Sequence, residues 1–99
     1  MPARSRKPQG RPKGSTTFDS STALAFGSVV RAARAKAGMS QEELASLSEL
    51  DRSYFSKLER GLSQPTLFAI FKIAAALGYK ATSLVGMTQR AMDGDNLVE

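Results

Sequence analysis

Five side chains between residues 52 and 60 present hydrogen-bond donors or a positive charge on one side of a short segment. In the stretch DRSYFSKLERG, a projection at about 100° per residue places them within an arc of roughly 140°, away from the apolar Phe55 and Leu58. The five are Arg52, Ser53, Ser56, Lys57 and Arg60. Guanidinium, ammonium and hydroxyl groups recognise anions and hydrogen-bond acceptors. The segment therefore predicts a recognition surface.

The rest of the composition argues against catalysis. The chain of 99 residues has no histidine and no cysteine. The commonest general base, the commonest metal ligand and all thiol or disulfide chemistry are therefore excluded. No constellation of nucleophile, base and orienting group can be assembled from the remaining residues. We expect no enzyme activity, no metal and no cofactor.

Length and hydropathy favour one small domain. With 41% hydrophobic and 23% charged residues, the chain suits a single modest core. It contains no run of about eighteen apolar residues, and its N-terminus is charged and rich in proline and glycine without an apolar stretch. Neither a membrane span nor a secretory signal is predicted, and we expect a cytoplasmic protein.

The positive charge is unevenly distributed along the chain. Residues 1–17 contribute +5, residues 18–92 contribute +3 and residues 93–99 contribute −3, for a net charge of +5. We therefore expect a disordered or extended basic arm over residues 1–20, a folded domain over residues 21–92 and an acidic tail over residues 93–99. Long-range attraction for a polyanion would come mainly from the arm.

Helical periodicity and capping residues predict an all-α fold that positions the recognition segment. An amphipathic stripe runs from about residue 21 to residue 38. Ser40 and Glu43 have the spacing of a capping box at the start of a second, short helix. Asp51 then caps a third helix, which carries the recognition segment to Arg60. The second and third helices, joined by a tight turn, are typical of a helix-turn-helix.

Two further helices complete the predicted domain. Thr66 caps a fourth helix that ends at Gly78, and a weaker fifth helix runs from about Ala81 to Met92. The apolar residues at core spacing in the fourth helix are Leu67, Ile70, Ile73, Ala74 and Leu77. No strand pattern is visible, so five helices form the predicted architecture.

The stretch from Phe26 to Val85 resembles the Cro and phage-repressor-like (Xre) family of bacterial and phage DNA-binding domains. The motifs GMSQEELA, DRSYFSKLERG and PTLFAIFKIAAALG carry the resemblance, which covers about sixty of the 99 residues. It implies a compact five-helix, lambda-repressor-like fold. It also implies binding to double-stranded DNA, with the third helix in the major groove.

The resemblance implies roles for individual residues. Arg52, Ser53, Ser56 and Lys57 correspond to base-reading positions, and an early arginine can hydrogen-bond guanine through two donors. The phosphate-contacting residues would be Ser40, Gln41, Tyr54 and Arg60. A helix N-terminus such as that at Gln41 also favours an anion. A partly buried ion pair is expected between Arg34 and Glu59.

The family also implies two-fold dimers on inverted repeats. Candidate dimer residues are Leu84, Val85, Met87 and Met92, although packing of Leu84 in the core is an equally open alternative. The sequence departs from the family pattern at three positions. Glu49 occupies a turn position that is often glycine, where a left-handed backbone would be strained, and Leu47 and Phe68 occupy usually polar positions where they could touch a partner subunit.

The arm segment QGRPKG resembles the AT-hook core, which lies in the minor groove of A/T-rich DNA. The residues assigned to this contact are Lys7, Gly10, Arg11, Pro12 and Lys13. Gln9 stands where the hook usually has arginine, which should weaken binding. Two alternatives remain open for the arm: a solvated tail without a partner, and non-specific contact with phosphates.

The sequence thus predicts a transcriptional regulator, most simply a repressor or autoregulator. The alternative is an antitoxin-like regulator whose main task is binding a partner protein, although the few residues after Met92 offer little surface for one. An architectural protein that binds A/T-rich DNA through its arm is a third possibility. No sensory domain accompanies the helices, so no small-molecule effector is indicated.

Overall fold

The computed structural model describes residues 18–94, which fold into five α-helices without a β-strand in that range. The helices are α1 (Ser20–Lys36), α2 (Gln41–Leu47), α3 (Arg52–Glu59), α4 (Leu67–Leu77) and α5 (Ala81–Asp93). The five-helix, all-α fold predicted from the sequence is confirmed. The basic arm residues Lys7, Gly10, Arg11, Pro12 and Lys13 lie outside the described residues.

Side-chain caps start four of the five helices. The Asp19 carboxylate accepts the backbone N–H of Thr22 at the start of α1. The predicted caps at Ser40, Asp51 and Thr66 are all present at the starts of α2, α3 and α4. Each cap satisfies a backbone donor that a helix cannot satisfy by itself, which fixes where these short helices begin.

One apolar core joins all five helices. Its largest fully buried side chains are Phe26, Val30, Leu44, Phe55, Leu58, Ile73 and Leu84. Helix α1 packs against α3 and α5, and α4 packs against α2 and α5. Helix α3 packs against both α1 and α2, so its remaining face is turned outward.

The structure corrects one prediction about the core and decides between the two alternatives for Leu84. Leu67 lies on the predicted apolar stripe of α4 but is 65% exposed, and Ala69 is buried on this helix instead. Leu67 is the first residue of α4, where the chain has only just entered the bundle. Leu84 is fully buried in the core, so its assignment to a dimer contact is wrong and the alternative of core packing is confirmed.

The turn between α2 and α3 has the predicted strained backbone. Glu49 adopts a φ of +59°, the left-handed conformation that favours glycine. Its carboxylate accepts a hydrogen bond from Lys72 Nζ on α4, and Lys72 also lies 5.4 Å above the ring centroid of Phe68. The turn is thereby attached to α4 by an ion pair.

No single helix within residues 18–94 is long and apolar enough to cross a membrane. Helices α4 and α5 reach the necessary length and composition only as a pair bent by 106°.

Candidate nucleic-acid interface

The outward face of α3 carries the residues predicted to read bases. Phe55, Leu58 and Glu59 are buried against the bundle. Arg52, Ser53 and Lys57 are exposed and Ser56 is half-buried. The division follows from helix geometry, because residues three and four apart share a face. The side chains therefore form one polar surface beside solvent, with the guanidinium and ammonium groups at its two ends.

The start of α2 lies beside this surface. Ser40 Oγ accepts the backbone N–H of Glu43 at 3.0 Å, and Glu43 Oε1 accepts the backbone N–H of Ser40 at 2.7 Å. This reciprocal pair fixes the first turn of α2 and sets the position of Gln41, which is half-buried. The remaining N–H groups of the first turn, with the Ser40 hydroxyl, provide donors that an anion can use.

The buried carboxylate of Glu59 connects α3 with α1 and α2. Glu59 is buried on α3, and its two oxygens accept hydrogen bonds from Arg34 Nε at 2.6 Å and Arg34 Nη2 at 3.0 Å. Arg34 Nη1 also donates to the backbone carbonyl of Met39 at 2.9 Å, just before the Ser40 cap. The hydrogen bond to Glu59 raises the pKa of the Arg34 guanidinium above its ordinary value. The ion pair implied by the family resemblance is therefore present and joins α1 to α3, while the bond to Met39 attaches α1 to the residue before the Ser40 cap.

Gln41 extends this network to the surface. Its side-chain Nε2 donates to Glu59 Oε1 at 2.9 Å, and its Oε1 accepts from Arg52 Nη1 at 3.4 Å. A chain of polar contacts thus runs from Arg34 through Glu59 and Gln41 to Arg52. The sequence predicted Gln41 only as a phosphate contact; its second partner, the buried carboxylate, depends on how α2 and α3 pack together.

The remaining predicted contacts flank the α3 surface. Arg60 is exposed directly after the last residue of α3. Tyr54 is half-buried, and part of its ring packs against the core. Both therefore border the surface formed by Arg52, Ser53, Ser56 and Lys57, and Tyr54 is oriented by the bundle.

Close backbone approach between α1 and α3 was not anticipated from the sequence. A Cβ atom on Gly27 would lie 2.5 Å from the backbone oxygen of Leu58 and 2.6 Å from that of Glu59. The available signal was the glycine itself, because a glycine inside a predicted helix costs about 1 kcal/mol relative to alanine. Gly27 allows α1 to support the helix that carries the recognition surface.

The predicted dimer residues do not share one surface. Val85 and Met92 are exposed on the same side of α5, seven residues apart, whereas Met87 faces another side of the helix. Val85 borders a groove between α4 and α5 that also includes the exposed Leu67 and Phe71. Of the four candidates, Val85 and Met92 are therefore exposed on one side of α5, and Val85 has apolar neighbours on α4.

Comparison with known proteins agrees with this arrangement. Residues 30–84 match the protein-family model described as helix-turn-helix. Over 66 residues the chain is 44% identical to the control protein C.BamHI of Bacillus amyloliquefaciens, a match that covers 66% of this chain and 82% of that protein.

Two solved structures are also similar. The restriction-modification controller protein C.AhdI from Aeromonas hydrophila is 44% identical, with a TM-score of 0.61 and coverage of 63% of this chain and 94% of that chain. The controller protein C.Esp1396I, solved as a tetramer in complex with its natural 35 base-pair operator, is 28% identical with a TM-score of 0.68. That match covers 75% of this chain and 97% of that chain.

Proposed function

Because this chain belongs to the helix-turn-helix family, we propose that it is a sequence-specific, DNA-binding regulator of transcription that reads its operator through α3. The observation that carries this proposal is the outward polar face of α3. On the opposite, buried face, Glu59 accepts a hydrogen bond from Gln41 and so fixes α3 against α2. An α-helix fits the major groove of B-DNA, where each base pair presents a distinct pattern of donors and acceptors.

Within this function the contacts divide into two kinds. Arg52, Ser53, Ser56 and Lys57 read base edges, with Arg52 at the entering end suited to the O6 and N7 acceptors of guanine. The phosphate contacts come from Ser40, Gln41, Tyr54 and Arg60, on either side of α3. Phosphate contacts fix the register of the protein on the duplex, and base contacts supply sequence information.

We further propose that the protein acts as a homodimer on an inverted repeat. One helix-turn-helix reads only a few base pairs, and a two-fold dimer doubles the site. The exposed apolar residues along α4 and α5 supply the surface, with Leu67 and Phe71 on α4 and Val85 and Met92 on α5. Val85→Asp should shift the sedimentation coefficient at micromolar concentration from that of a dimer to that of a monomer. Met87→Asp serves as the control on a different side of α5.

The relatives favour this function over an antitoxin-like role. C.BamHI is named as a control protein, and C.Esp1396I is a controller protein solved on its operator. A regulator of bacterial or phage genes acts where their DNA is transcribed, so we place this protein in the cytoplasm.

Selection from a randomised duplex library with the purified 99-residue chain tests the proposal. The expected result is an inverted repeat with half-sites separated by about one helical turn. Arg52→Ala should relax the preference at one base pair of each half-site. A folded protein that enriches no sequence would contradict the proposed function.

A further inference from the structure

The first turns of α1 lie on the C-terminal end of α3. Gly61, which follows α3, adopts a φ of +72°, and a Cβ atom there would lie 2.6 Å from Leu24 Cδ2 and 3.0 Å from Leu24 Cα. Together with the close approach at Gly27, this contact leaves almost no space between the two helices. The chain preceding α1 therefore enters the domain beside the end of the proposed recognition helix.

Asp19, the residue before α1, is held from two directions. Its carboxylate accepts hydrogen bonds from the backbone N–H and hydroxyl of Thr22 and from the hydroxyl of Ser21. Its own backbone N–H donates to Gln64 Oε1 at 2.7 Å, across 45 positions of the sequence. Gln64 lies in the loop between α3 and α4. The carboxylate fixes Asp19 to α1, whereas the amide fixes it to the loop that follows α3.

We propose that Gln64 is a positioning residue for the basic arm, fixing its point of departure beside the C-terminal end of α3. The inference depends on the proposed DNA-binding function and deepens it. Residues 1–17 carry +5 of charge and no acid. By holding Asp19 in place, Gln64 directs the positive charge of residues 1–17 to the DNA next to the bases that α3 contacts.

The length of the arm makes the anchor point important. Seventeen residues reach at most about 55–60 Å, so the point at which they join the domain limits the DNA that their charges can contact. Tethered ligands contribute through an effective concentration, which falls when the tether begins in the wrong place or sweeps a larger volume. Release of Asp19 from Gln64 would therefore weaken arm-dependent binding without removing any charge.

Four proteins in a double-mutant cycle test the proposal: the full chain and a chain beginning at residue 18, each with and without Gln64→Met. Methionine has a similar length but lacks the strong carbonyl acceptor. All five helices begin after residue 18, so the shortened chain retains the folded bundle. The probe is the duplex obtained by selection, and affinity is measured by fluorescence anisotropy at several salt concentrations.

We expect a loss of operator affinity that occurs only when residues 1–17 are present. Gln64→Met should weaken operator binding of the full chain about three- to tenfold through the lower effective concentration of the arm. It should change the affinity of the shortened chain by less than about twofold. The salt slope of log K should fall by about 0.9 for each phosphate contact that the misdirected arm loses. Ser63→Ala, in the same loop, serves as the control and should leave both affinities unchanged.

Gln64→Glu separates the lost hydrogen bond from other effects of substitution. Glutamate keeps an oxygen that accepts the Asp19 N–H, and the effect of its charge on DNA is measured in the shortened chain. The affinity ratio of full to shortened chain should stay within about twofold of wild type for Gln64→Glu and fall for Gln64→Met. A ratio that falls equally for both variants would overturn the proposal.

Other outcomes distinguish this inference from the proposed function. Equal losses in full and shortened chains would give Gln64 a general structural role or a direct contact, and would refute arm positioning. Removal of residues 1–17 without any change in operator affinity would also refute it, while leaving α3 as the reader. If a cooperatively melting full chain selects no sequence, the proposed function fails and this inference fails with it.

Discussion

Gln41 Nε2 donates a hydrogen bond to Glu59 Oε1 at 2.9 Å, which ties the first residue of α2 to a buried carboxylate on α3. The same carboxylate accepts two hydrogen bonds from Arg34. One acidic side chain thereby fixes the relative position of the two helices that would approach DNA. Its negative charge is compensated by Arg34 and lies behind the outward surface of α3.

Glu59→Gln should destabilise the fold by about 3 kcal/mol, because removal of one partner leaves the largely buried Arg34 guanidinium without its counter-charge. Urea denaturation followed by circular dichroism measures the free energy of unfolding. Glu42→Gln, on the exposed side of α2, is the matched control and should change it by less than about 0.5 kcal/mol. A Glu59→Gln protein that melts within about a degree of wild type would show that the ion pair contributes little.

Arg52→Ala should weaken operator binding by about 1–3 kcal/mol and relax the preference at one base pair per half-site. The guanidinium is exposed at the start of α3, with Gln41 as its partner at 3.4 Å, so its loss should not affect folding. Arg90→Ala removes an equal charge from α5, which packs against α1 and α4. In binding assays with the selected duplex and its single-base variants, Arg90→Ala should reduce affinity, if at all, by the same factor for every duplex. Equal losses for the two variants would argue against base reading by Arg52.

The sequence was sufficient to predict elements defined by local chemistry. The capping residues Ser40, Asp51 and Thr66 interact with backbone groups only three residues away, so their spacing alone located three helices. The polar face of α3 could be predicted for the same reason, since helical periodicity is a local property.

Contacts between helices could not be derived in this way. The hydrogen bond from the Asp19 N–H to Gln64 and that from Gln41 to Glu59 join residues 45 and 18 positions apart, and neither follows from periodicity. Leu84 shows the limit most clearly, because an apolar residue on a terminal helix suits a core or an interface equally well. Only the packing of α5 against α1 and α4 decides between them.

Glu49→Gly should be more stable than Glu49→Ala by about 1 kcal/mol, because the φ of +59° is unfavourable for a residue with a Cβ atom. Both substitutions remove the exposed ion pair with Lys72, so their difference isolates the backbone. The free energies of unfolding of the two variants, measured in urea, provide the comparison. Equal stabilities would mean that the turn relaxes to another conformation when the side chain is shortened.

The stability of the fold should decrease in acid partly through Glu49. The hydrogen bond from Lys72 lowers the pKa of the Glu49 carboxyl, and hydrogen bonds from Thr22 lower that of Asp19. Because both folded-state pKa values lie below the unfolded values of about 3.9 for Asp and 4.3 for Glu, their contributions are present above that range. They are lost as the pH falls through the folded-state values. Melting temperatures between pH 7 and pH 2.5 should therefore fall less steeply for Glu49→Gln than for wild type. A parallel decline would exclude a contribution from this ion pair.

Gly27→Ala should destabilise the protein by about 1–3 kcal/mol and displace α3, because the added methyl group meets the backbone oxygens of Leu58 and Glu59 rather than a flexible side chain. Gly86→Ala is the matched control, since the nearest atom to its Cβ would be Arg90 Nη1 at 4.0 Å. Alanine at this helical position should stabilise α5 by about 0.5–1 kcal/mol. Thermal melting of the two variants should shift in opposite directions, and the operator affinity of Gly27→Ala, measured well below its melting temperature, should fall. If Gly27→Ala retains wild-type affinity and stability, the distance between α1 and α3 does not control the position of the reading helix.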